Sequence, residues 1–267
     1  MNPLEIVKSP HVHSPHVHVP FGRISELAPV LREHDLALEI YIQAFSLDSL
    51  EEGFEEKFFE ILGYQPPPLT VHGPFMDLSP GGVDEKVRGV SMERYEKTIE
   101  FAEKIGAGSV VFHSGYEKWR FAFRADIWLE NSLKTWPPLI EKAKKAEIRI
   151  AIENIFEDAP DNLLSLMEHL GSPHFGICFD TGHFHLFSKE RALDDWIIPL
   201  RDYIIELHLH DNDGTFDQHR PVGEGNFPFE RLFELLKGKD LIYTVEAHSK
   251  EDALISIERL KGFLPRF

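Results

Sequence analysis

Short apolar runs alternate with amphipathic stretches along most of the chain. The runs are rich in Val, Ile, Leu and Phe and are bounded by Gly, Pro or polar residues, which is typical of buried strands. The stretches between them repeat apolar residues three or four positions apart, as in Phe54, Phe58 and Leu62, which predicts helices that bury one face. The predicted strands are residues 14–19, 36–42, 69–71, 109–112, 149–152, 175–179, 203–209 and 241–245.

A predicted helix follows nearly every strand. The helices are expected at residues 23–34, 51–62, 91–105, 126–146, 161–170, 191–200, 229–236 and 251–260, with Ser91 capping the third and Pro137-Pro138 interrupting the fourth. Eight alternating units of this length predict a single (β/α)₈ TIM barrel domain over residues 1–267. An open doubly wound sheet is the alternative, but no Gly-x-Gly-x-x-Gly follows the first strand.

Composition narrows the classes of partner. The 267 residues carry 28 Lys and Arg against 45 Asp and Glu, a net charge of −17, which disfavours nucleic acid because phosphate binding needs a basic surface. No apolar run reaches the roughly 18 residues of a membrane span, and the first residues lack the pattern of a signal peptide. Cys178 is the single cysteine, so no internal disulfide can form, and we expect a cytoplasmic protein.

Side chains of the kind that bind metals follow strand after strand. They are His72, His113, Glu153, Asp180 with His183, His210 and Glu246. In a TIM barrel the carboxyl ends of all strands meet at one face, where active sites lie. Burying so many charges without a counter-cation would cost several kcal/mol per group. The pattern therefore predicts a divalent-cation centre, and mixed imidazole and carboxylate ligands suit Zn²⁺, Mn²⁺, Co²⁺ or Fe²⁺ better than Ca²⁺.

Two further segments contain histidines in patterned positions. The sequence Ser-Pro-His-Val-His occurs twice, at 9–13 and 14–18, and the second copy places His16 and His18 on one face of the first strand. A polar-faced strand or an N-terminal arm is the simpler interpretation, and a role in lining the substrate site is the alternative. His208 shares the face of His210, and we expect it to fill the barrel or to support His210 through its second ring nitrogen.

The motifs together resemble one known superfamily. They are His72-Gly-Pro-Phe75, His113, Ile152-Glu-Asn154, Phe179-Asp-Thr-Gly-His183, His208-Leu-His-Asp-Asn212, Asp217-x-His219-x-x-x-Gly-Glu-Gly225 and Val245-Glu246. In this order they resemble the xylose-isomerase-like barrels, which include endonuclease IV and many sugar and sugar-phosphate isomerases or epimerases. The resemblance covers the third to the eighth strand, and it depends on the combination of motifs.

The resemblance implies two alternative metal sites. The endonuclease IV pattern implies three zinc ions held by nine ligands: His72, His113, Glu153, Asp180, His183, His210, Asp217, His219 and Glu246. The sugar epimerase pattern implies one ion held by Glu153, Asp180, His210 and Glu246. In that second pattern Glu153 and Glu246 also serve as acid and base beside a substrate carbonyl, and His183 contacts the substrate.

The leading expectation is a divalent-metal isomerase or epimerase that acts on a small sugar or sugar phosphate. Its substrate contacts would come from His183, Phe75, Arg120 and Arg124, and between one and three ions would be bound. The alternative is an endonuclease-IV-like phosphoesterase with a trinuclear zinc site, because every residue of the nine-ligand pattern is present. A barrel that binds metal or senses a ligand without catalysis is a third class.

Overall fold

A computed structural model describes residues 15–64, 66 and 69–263. Eight parallel strands close into a barrel in sequence order, so the predicted (β/α)₈ TIM barrel is confirmed. The strands are β1 His16–Pro20, β2 Ala37–Tyr41, β3 Leu69–His72, β4 Ala107–His113, β5 Arg149–Glu153, β6 Phe175–Asp180, β7 Ile204–Leu209 and β8 Ile242–Val245. The first copy of the Ser-Pro-His-Val-His repeat lies outside the described residues.

Helices cover the outside of the barrel. They are α1 Ile24–Glu33, α2 Ala44–Asp48, α3 Phe54–Leu62, α4 Glu85–Lys104, α5 Ala125–Lys145, α6 Asp161–Leu170, α7 Thr181–Phe187, α8 Leu193–Leu200, α9 Phe229–Leu235 and α10 Lys250–Leu260, with a 3₁₀ turn at Phe21–Arg23. No helix within the described ranges combines the length and apolarity that crossing a bilayer requires.

Two helix predictions were wrong in detail. Helix α4 begins at Glu85 and not at Ser91, because the Asp84 carboxylate caps it by accepting from the backbone of Lys86 at 2.7 Å. Ser91 instead lies inside the helix. Helix α5 continues through Pro137-Pro138, because its buried face is held against the barrel by Trp136 and neighbouring apolar residues.

The inside of the barrel is unusually polar. Outward-facing strand residues such as Ile40, Val110 and Ile177 form the apolar core with the helices, and all three are fully buried. Several inward positions carry hydrogen-bonding groups that meet across the barrel, as when the Ser109 hydroxyl donates to Glu206 at 3.0 Å. Because strand side chains alternate between the two faces of the sheet, these polar groups lie inside the barrel and continue to the carboxyl ends of the strands.

Candidate metal centre

Glu153, at the end of β5, lies at the middle of a cluster of imidazoles. Its Oε2 atom is 3.1 Å from His72 Nε2, 3.4 Å from His113 Nε2 and 3.5 Å from His208 Nδ1. Its Oε1 atom is 2.9 Å from His183 Nδ1. The two oxygens of this carboxylate thus face different histidines, so both could serve as cation ligands.

The tautomer of His72 indicates that a cation fits here. The His72 Nδ1–H donates to the Gly73 carbonyl at 2.8 Å, which leaves Nε2 as a bare acceptor. That acceptor faces the Glu153 carboxylate at 3.1 Å, and two acceptors at this distance repel unless a proton or a cation lies between them. A metal-binding histidine that donates its other N–H to a carbonyl is the usual arrangement in proteins.

Four buried polar atoms in the cluster support the same conclusion. His183 Nδ1, His208 Nδ1, His210 Nδ1 and Asp217 Oδ1 make no hydrogen bond to any described part of the chain. Buried polar groups are nearly always paired, and imidazole nitrogens and carboxylate oxygens are ligands of Zn²⁺ and similar ions. The donor set therefore fits a divalent cation.

A second group of ligands lies toward the cavity mouth. Asp217 Oδ2 is 3.0 Å from His219 Nε2 and 3.6 Å from His183 Nε2, and Asp217 Oδ1 is 3.7 Å from His210 Nδ1. The rings of His210 and His219 stack with their centroids 3.9 Å apart. Asp180 Oδ2 lies 3.1 Å from His210 Nε2, and Glu246 Oε2 lies 3.6 Å from His219 Nδ1. With these two contacts, all nine predicted ligands lie in one connected cluster.

His208 in β7 and His210, which follows that strand directly, lie in different parts of this cluster. His208 Nδ1 is 3.1 Å from Glu246 Oε1, 3.5 Å from Glu153 Oε2 and 4.0 Å from Asp180 Oδ2. His210 contacts Asp180 at 3.1 Å but otherwise faces the Asp217 group. The structure thus places His208 Nδ1 next to all three carboxylates of the predicted four-ligand site, which also includes His210.

Charge in the cluster is strongly coupled. Burial works to raise the pKa of Glu153, but the adjacent His113 and His208 hold that pKa well below its usual range. Burial works to lower the pKa of His183, yet Asp180, Asp217 and Glu153 hold it well above its usual range. Imidazoles that must carry protons to neutralise buried carboxylates occupy positions where a divalent cation could replace those protons.

The segment after β6 is shaped by its own hydrogen bonds. Asp180 Oδ1 caps α7 by accepting from the His183 backbone at 2.6 Å, so one residue supplies both a cap and a candidate ligand. Asn154 exchanges two hydrogen bonds with the Asp180 backbone, at 2.9 and 3.1 Å, which ties β5 to β6. A Cβ atom on Gly182 would lie 2.0 Å from the His210 ring, so this position requires glycine.

Asp211 organises the loop that carries Asp217 and His219. Its carboxylate accepts from the backbone N–H groups of Asn212, Gly223, Gly225 and Phe227 at 2.8–3.1 Å. The backbones of Asp211 and Arg220 also pair at 2.8 and 2.9 Å. His219 adopts a positive φ of 47°, a conformation that persists only where surrounding contacts enforce it.

The cluster forms the floor of a cavity of about 1150 Å³. Of the predicted substrate contacts, His183, Phe75 and Arg120 line this cavity, and Phe75 stacks on His113 with centroids 4.4 Å apart. Arg124 does not line it, because its guanidinium donates two hydrogen bonds to Asp126 on the exposed start of α5. Further aromatic walls come from Tyr41, Tyr116, Phe156 and Phe187.

Glu39 was not predicted as part of the site, and His18 was predicted there only as the alternative interpretation of the first strand. His18 lines the cavity and lies 2.9 Å from Glu39 and 3.2 Å from Glu246. Glu39 is fully buried in β2. The sequence feature that could have identified Glu39 is its charge inside an apolar strand, because a buried charge requires a partner. His16, by contrast, lies deeper and pairs with Thr70 at 3.1 Å, and burial lowers its pKa to about 4 despite the nearby Glu39.

Known proteins with similar sequences and structures share this barrel fold. The family model for xylose isomerase-like TIM barrels matches residues 63–263. The chain belongs to the xylose isomerase-like TIM barrel family. A solved structure described as a D-tagatose 3-epimerase-like protein is similar with a TM-score of 0.79 and 28% identity, covering 93% of this chain and 96% of that one.

Two relatives in sequence extend the comparison. An uncharacterised protein of Methanocaldococcus jannaschii is 32% identical over 204 residues, which is 73% of this chain and 70% of the relative. A probable endonuclease 4 of Mycobacterium leprae is 24% identical over 209 residues, which is 73% of this chain and 80% of the relative. Proteins named for an epimerase and for an endonuclease are therefore both similar to this chain. These similarities indicate that the chain is an enzyme.

Gly182→Ala is expected to destabilise the protein, because the new methyl group must displace the buried His210 ring or shift α7. We expect a loss of about 1–3 kcal/mol in the free energy of unfolding, as for other overpacked sites. Gly89→Ala is the matched control, since its added Cβ meets no described atom within 4 Å on the exposed face of α4. That change should stabilise by up to about 1 kcal/mol. Urea denaturation of both variants measures this, and equal midpoints would contradict the close packing at Gly182.

Glu157 provides a pH-dependence test. Burial raises its pKa to about 7, although hydrogen bonds from Ser114 and from the backbone of Ile155 oppose the shift. The folded state therefore holds this proton longer than the unfolded chain, and its contribution to stability is lost as pH rises from about 4.5 through about 7. Gln resembles the protonated carboxyl, so Glu157→Gln should gain roughly 2 to 3 kcal/mol over wild type between pH 5 and pH 8.

The measurement for Glu157 is urea denaturation at both pH values, with the exposed Glu141→Gln as control. The control should follow wild type at each pH. If Glu157→Gln also follows wild type at both pH values, Glu157 does not carry the raised pKa.

Proposed function

We propose that the protein is a divalent-metal-dependent isomerase or epimerase that moves a proton beside the carbonyl of a small sugar or sugar phosphate. The observation that carries this proposal is the position of two glutamates at the cavity floor. Glu153 and Glu246 both line the cavity, and they approach the same nitrogen, His208 Nδ1, at 3.5 and 3.1 Å. Two carboxylates flanking one cation position are suited to take a proton from one face of a substrate carbon and return it to the other.

The central cation would be held by Glu153, Asp180, His208 and Glu246. We assign His208 to this set in place of His210, because His208 Nδ1 faces all three carboxylates and makes no hydrogen bond to the described chain. Three carboxylates and one imidazole suit Mn²⁺, Co²⁺, Fe²⁺ or Zn²⁺. When bound, such an ion polarises a substrate carbonyl and stabilises the charge that develops on its oxygen.

The remaining cavity residues would bind and orient the substrate. His183 lines the cavity beside Glu153, where its Nε2 can meet a hydroxyl group of the substrate. Phe75, Tyr116 and Phe156 form walls that exclude water from the reacting carbon. Arg120 lines the outer part of the cavity and would pair with an anionic group such as a sugar phosphate. The similarity to a D-tagatose 3-epimerase-like structure also supports a sugar substrate.

A phosphoesterase is the second candidate, and the Asp217 group favours it. Asp217 Oδ2 lies 3.6 Å from His183 Nε2 and 3.0 Å from His219 Nε2, and these three residues could hold a further ion beside the central set. Several clustered cations suit hydrolysis of a phosphate ester, because they stabilise both the attacking and the leaving oxygen. The net charge of −17 argues against DNA as its substrate.

Metal content separates the two candidates. For protein purified without chelator, we expect one tightly held ion per chain by elemental analysis, and we expect Asp217→Ala with His219→Ala to retain it. His208→Asn should lower the affinity for that ion by 100-fold or more, whereas His210→Asn should lower it far less, because only His208 faces all three carboxylates. Two or three zinc ions per chain, with loss of ions in the double variant, would favour the phosphoesterase. Equal losses in the two histidine variants would contradict the His208 assignment.

Proton transfer can be tested directly in D₂O. With ketopentoses, ketohexoses and their phosphates as substrates, epimerisation through Glu153 and Glu246 should place solvent deuterium on the carbon next to the carbonyl, which NMR detects. Glu153→Gln and Glu246→Gln should each lower turnover by at least 100-fold, since each loses a proton carrier. The exposed Glu141→Gln serves as control. Hydrolysis of a model phosphodiester without any deuterium incorporation across the sugar panel would overturn the proposal.

A further inference from the structure

Two carboxylates are buried in the barrel beneath the candidate metal centre. Glu39 on β2 and Glu206 on β7 are both fully buried, and they lie close enough to His208 for the three to form one group. A buried carboxylate is costly unless its partners are well placed, so each requires a specific explanation. Their hydrogen bonds assign them different roles.

Glu206 is accounted for by neutral partners. The hydroxyl groups of Ser109 and Thr244 lie 3.0 and 3.2 Å from its two oxygens. Glu206 thus links β4, β7 and β8 through these two hydroxyl groups.

Glu39 contacts two histidines and no hydroxyl group among its described partners. Its Oε1 accepts from His18 Nδ1 at 2.9 Å, and its Oε2 accepts from His208 Nε2 at 3.2 Å. Two imidazole N–H groups thus point at one carboxylate, an arrangement that suits its charged form. Strand register favours the first contact, because His18 and Glu39 are direct partners in the β1–β2 pair.

The contact with His208 determines which ring nitrogen can bind a cation. Because Nε2 donates its hydrogen to Glu39, Nδ1 is left with a lone pair. That nitrogen is the one that faces Glu246, Glu153 and Asp180 at 3.1, 3.5 and 4.0 Å. His18 Nδ1, which contacts Glu39, also lies 3.2 Å from Glu246 Oε1.

We propose that Glu39 is a positioning residue of the metal centre, whose carboxylate holds His208 in the Nε2–H tautomer and aims its Nδ1 at the cation. The negative charge of Glu39 also makes His208 Nδ1 a stronger electron-pair donor to a cation, as a carboxylate does when it accepts a hydrogen bond from a metal-binding histidine. Through His18, the same carboxylate restrains the orientation of Glu246. This inference rests on the proposed metal site, but it assigns a role to a residue that does not line the cavity.

The test is metal affinity in matched variants of the full-length protein. Glu39→Gln keeps the size of the side chain, but it removes the charge and presents an N–H₂ group that conflicts with one of the two histidine donors. We expect its affinity for Co²⁺ or Zn²⁺, measured by competition with a chelator, to fall about 10- to 100-fold. Glu206→Gln is the control for loss of a buried carboxylate, and its affinity should stay within about threefold of wild type.

The Co²⁺ spectrum provides a readout that a purely structural role would not change. In Glu39→Gln the visible absorption bands of bound Co²⁺ should shift, because the donor strength and orientation of His208 change. In Glu206→Gln they should match wild type. Wild-type affinity and an unchanged spectrum in Glu39→Gln would overturn the proposal, as would equal losses in the two variants.

A measurement on the wild-type protein covers the case in which Glu39→Gln does not fold. Long-range ¹H–¹⁵N spectra of the Zn²⁺-loaded protein report the tautomer of each imidazole, and comparison with His208→Asn identifies the His208 signal. The Nε2–H tautomer is expected, and the Nδ1–H tautomer would overturn the proposal. Failure of the wild-type protein to bind any divalent ion would instead contradict the proposed function, so the two failures can be told apart.

Discussion

Unbalanced buried charge at the carboxyl ends of the strands is the constraint on which this structure depends. Glu153, Asp180 and Glu246 are almost fully buried, and each is surrounded by imidazoles that point lone pairs or protons at it. An apolar replacement would be more stable, since buried ion pairs seldom repay their desolvation. Several imidazole and carboxylate atoms also face one another without forming hydrogen bonds. A divalent cation would resolve both features, because it would supply the missing charge and the missing partner together.

The surrounding structure is arranged to hold these groups against their mutual repulsion. Asp180 caps a helix, Asn154 ties its backbone to β5, and Asp211 collects four backbone N–H groups beneath the loop of Asp217. Each of these residues has its hydrogen bonds satisfied within the protein. The ligands therefore lie on backbone that is fixed before any ion binds, which lowers the cost of binding. Inside the barrel, Glu39 adds a further contact of this kind through its hydrogen bond with His208.

The arrangement also explains why one family includes two kinds of chemistry. The central group around His208 and the outer group around Asp217 share His183 and Asp180 as neighbours, but they rest on different segments of the chain. A barrel that uses only the central group needs one cation for proton transfer next to a carbonyl. A barrel that fills the outer group as well gains the charge that phosphate chemistry requires.

Sequence alone determined the architecture and most of the site. Eight apolar runs separated by helical stretches were sufficient for the barrel, because local periodicity reports which faces are buried. The strand-end positions of the predicted ligands then followed, since parallel strands deliver their carboxyl ends to one face. All nine predicted ligands lie in one cluster for this reason.

Only the tertiary structure decided which of His208 and His210 faces which carboxylate. Strand alternation predicts the same face for both, so periodicity cannot distinguish them. Their environments differ because His208 contacts Glu39 on β2, whereas His210 faces Asp217 in the loop after β7. Arg124 lies outside the cavity for a local reason, because it pairs with Asp126. Glu39 depends on distant partners, which lie 21 and 169 residues away. Contacts between distant segments depend on how the barrel closes, and no local pattern encodes them.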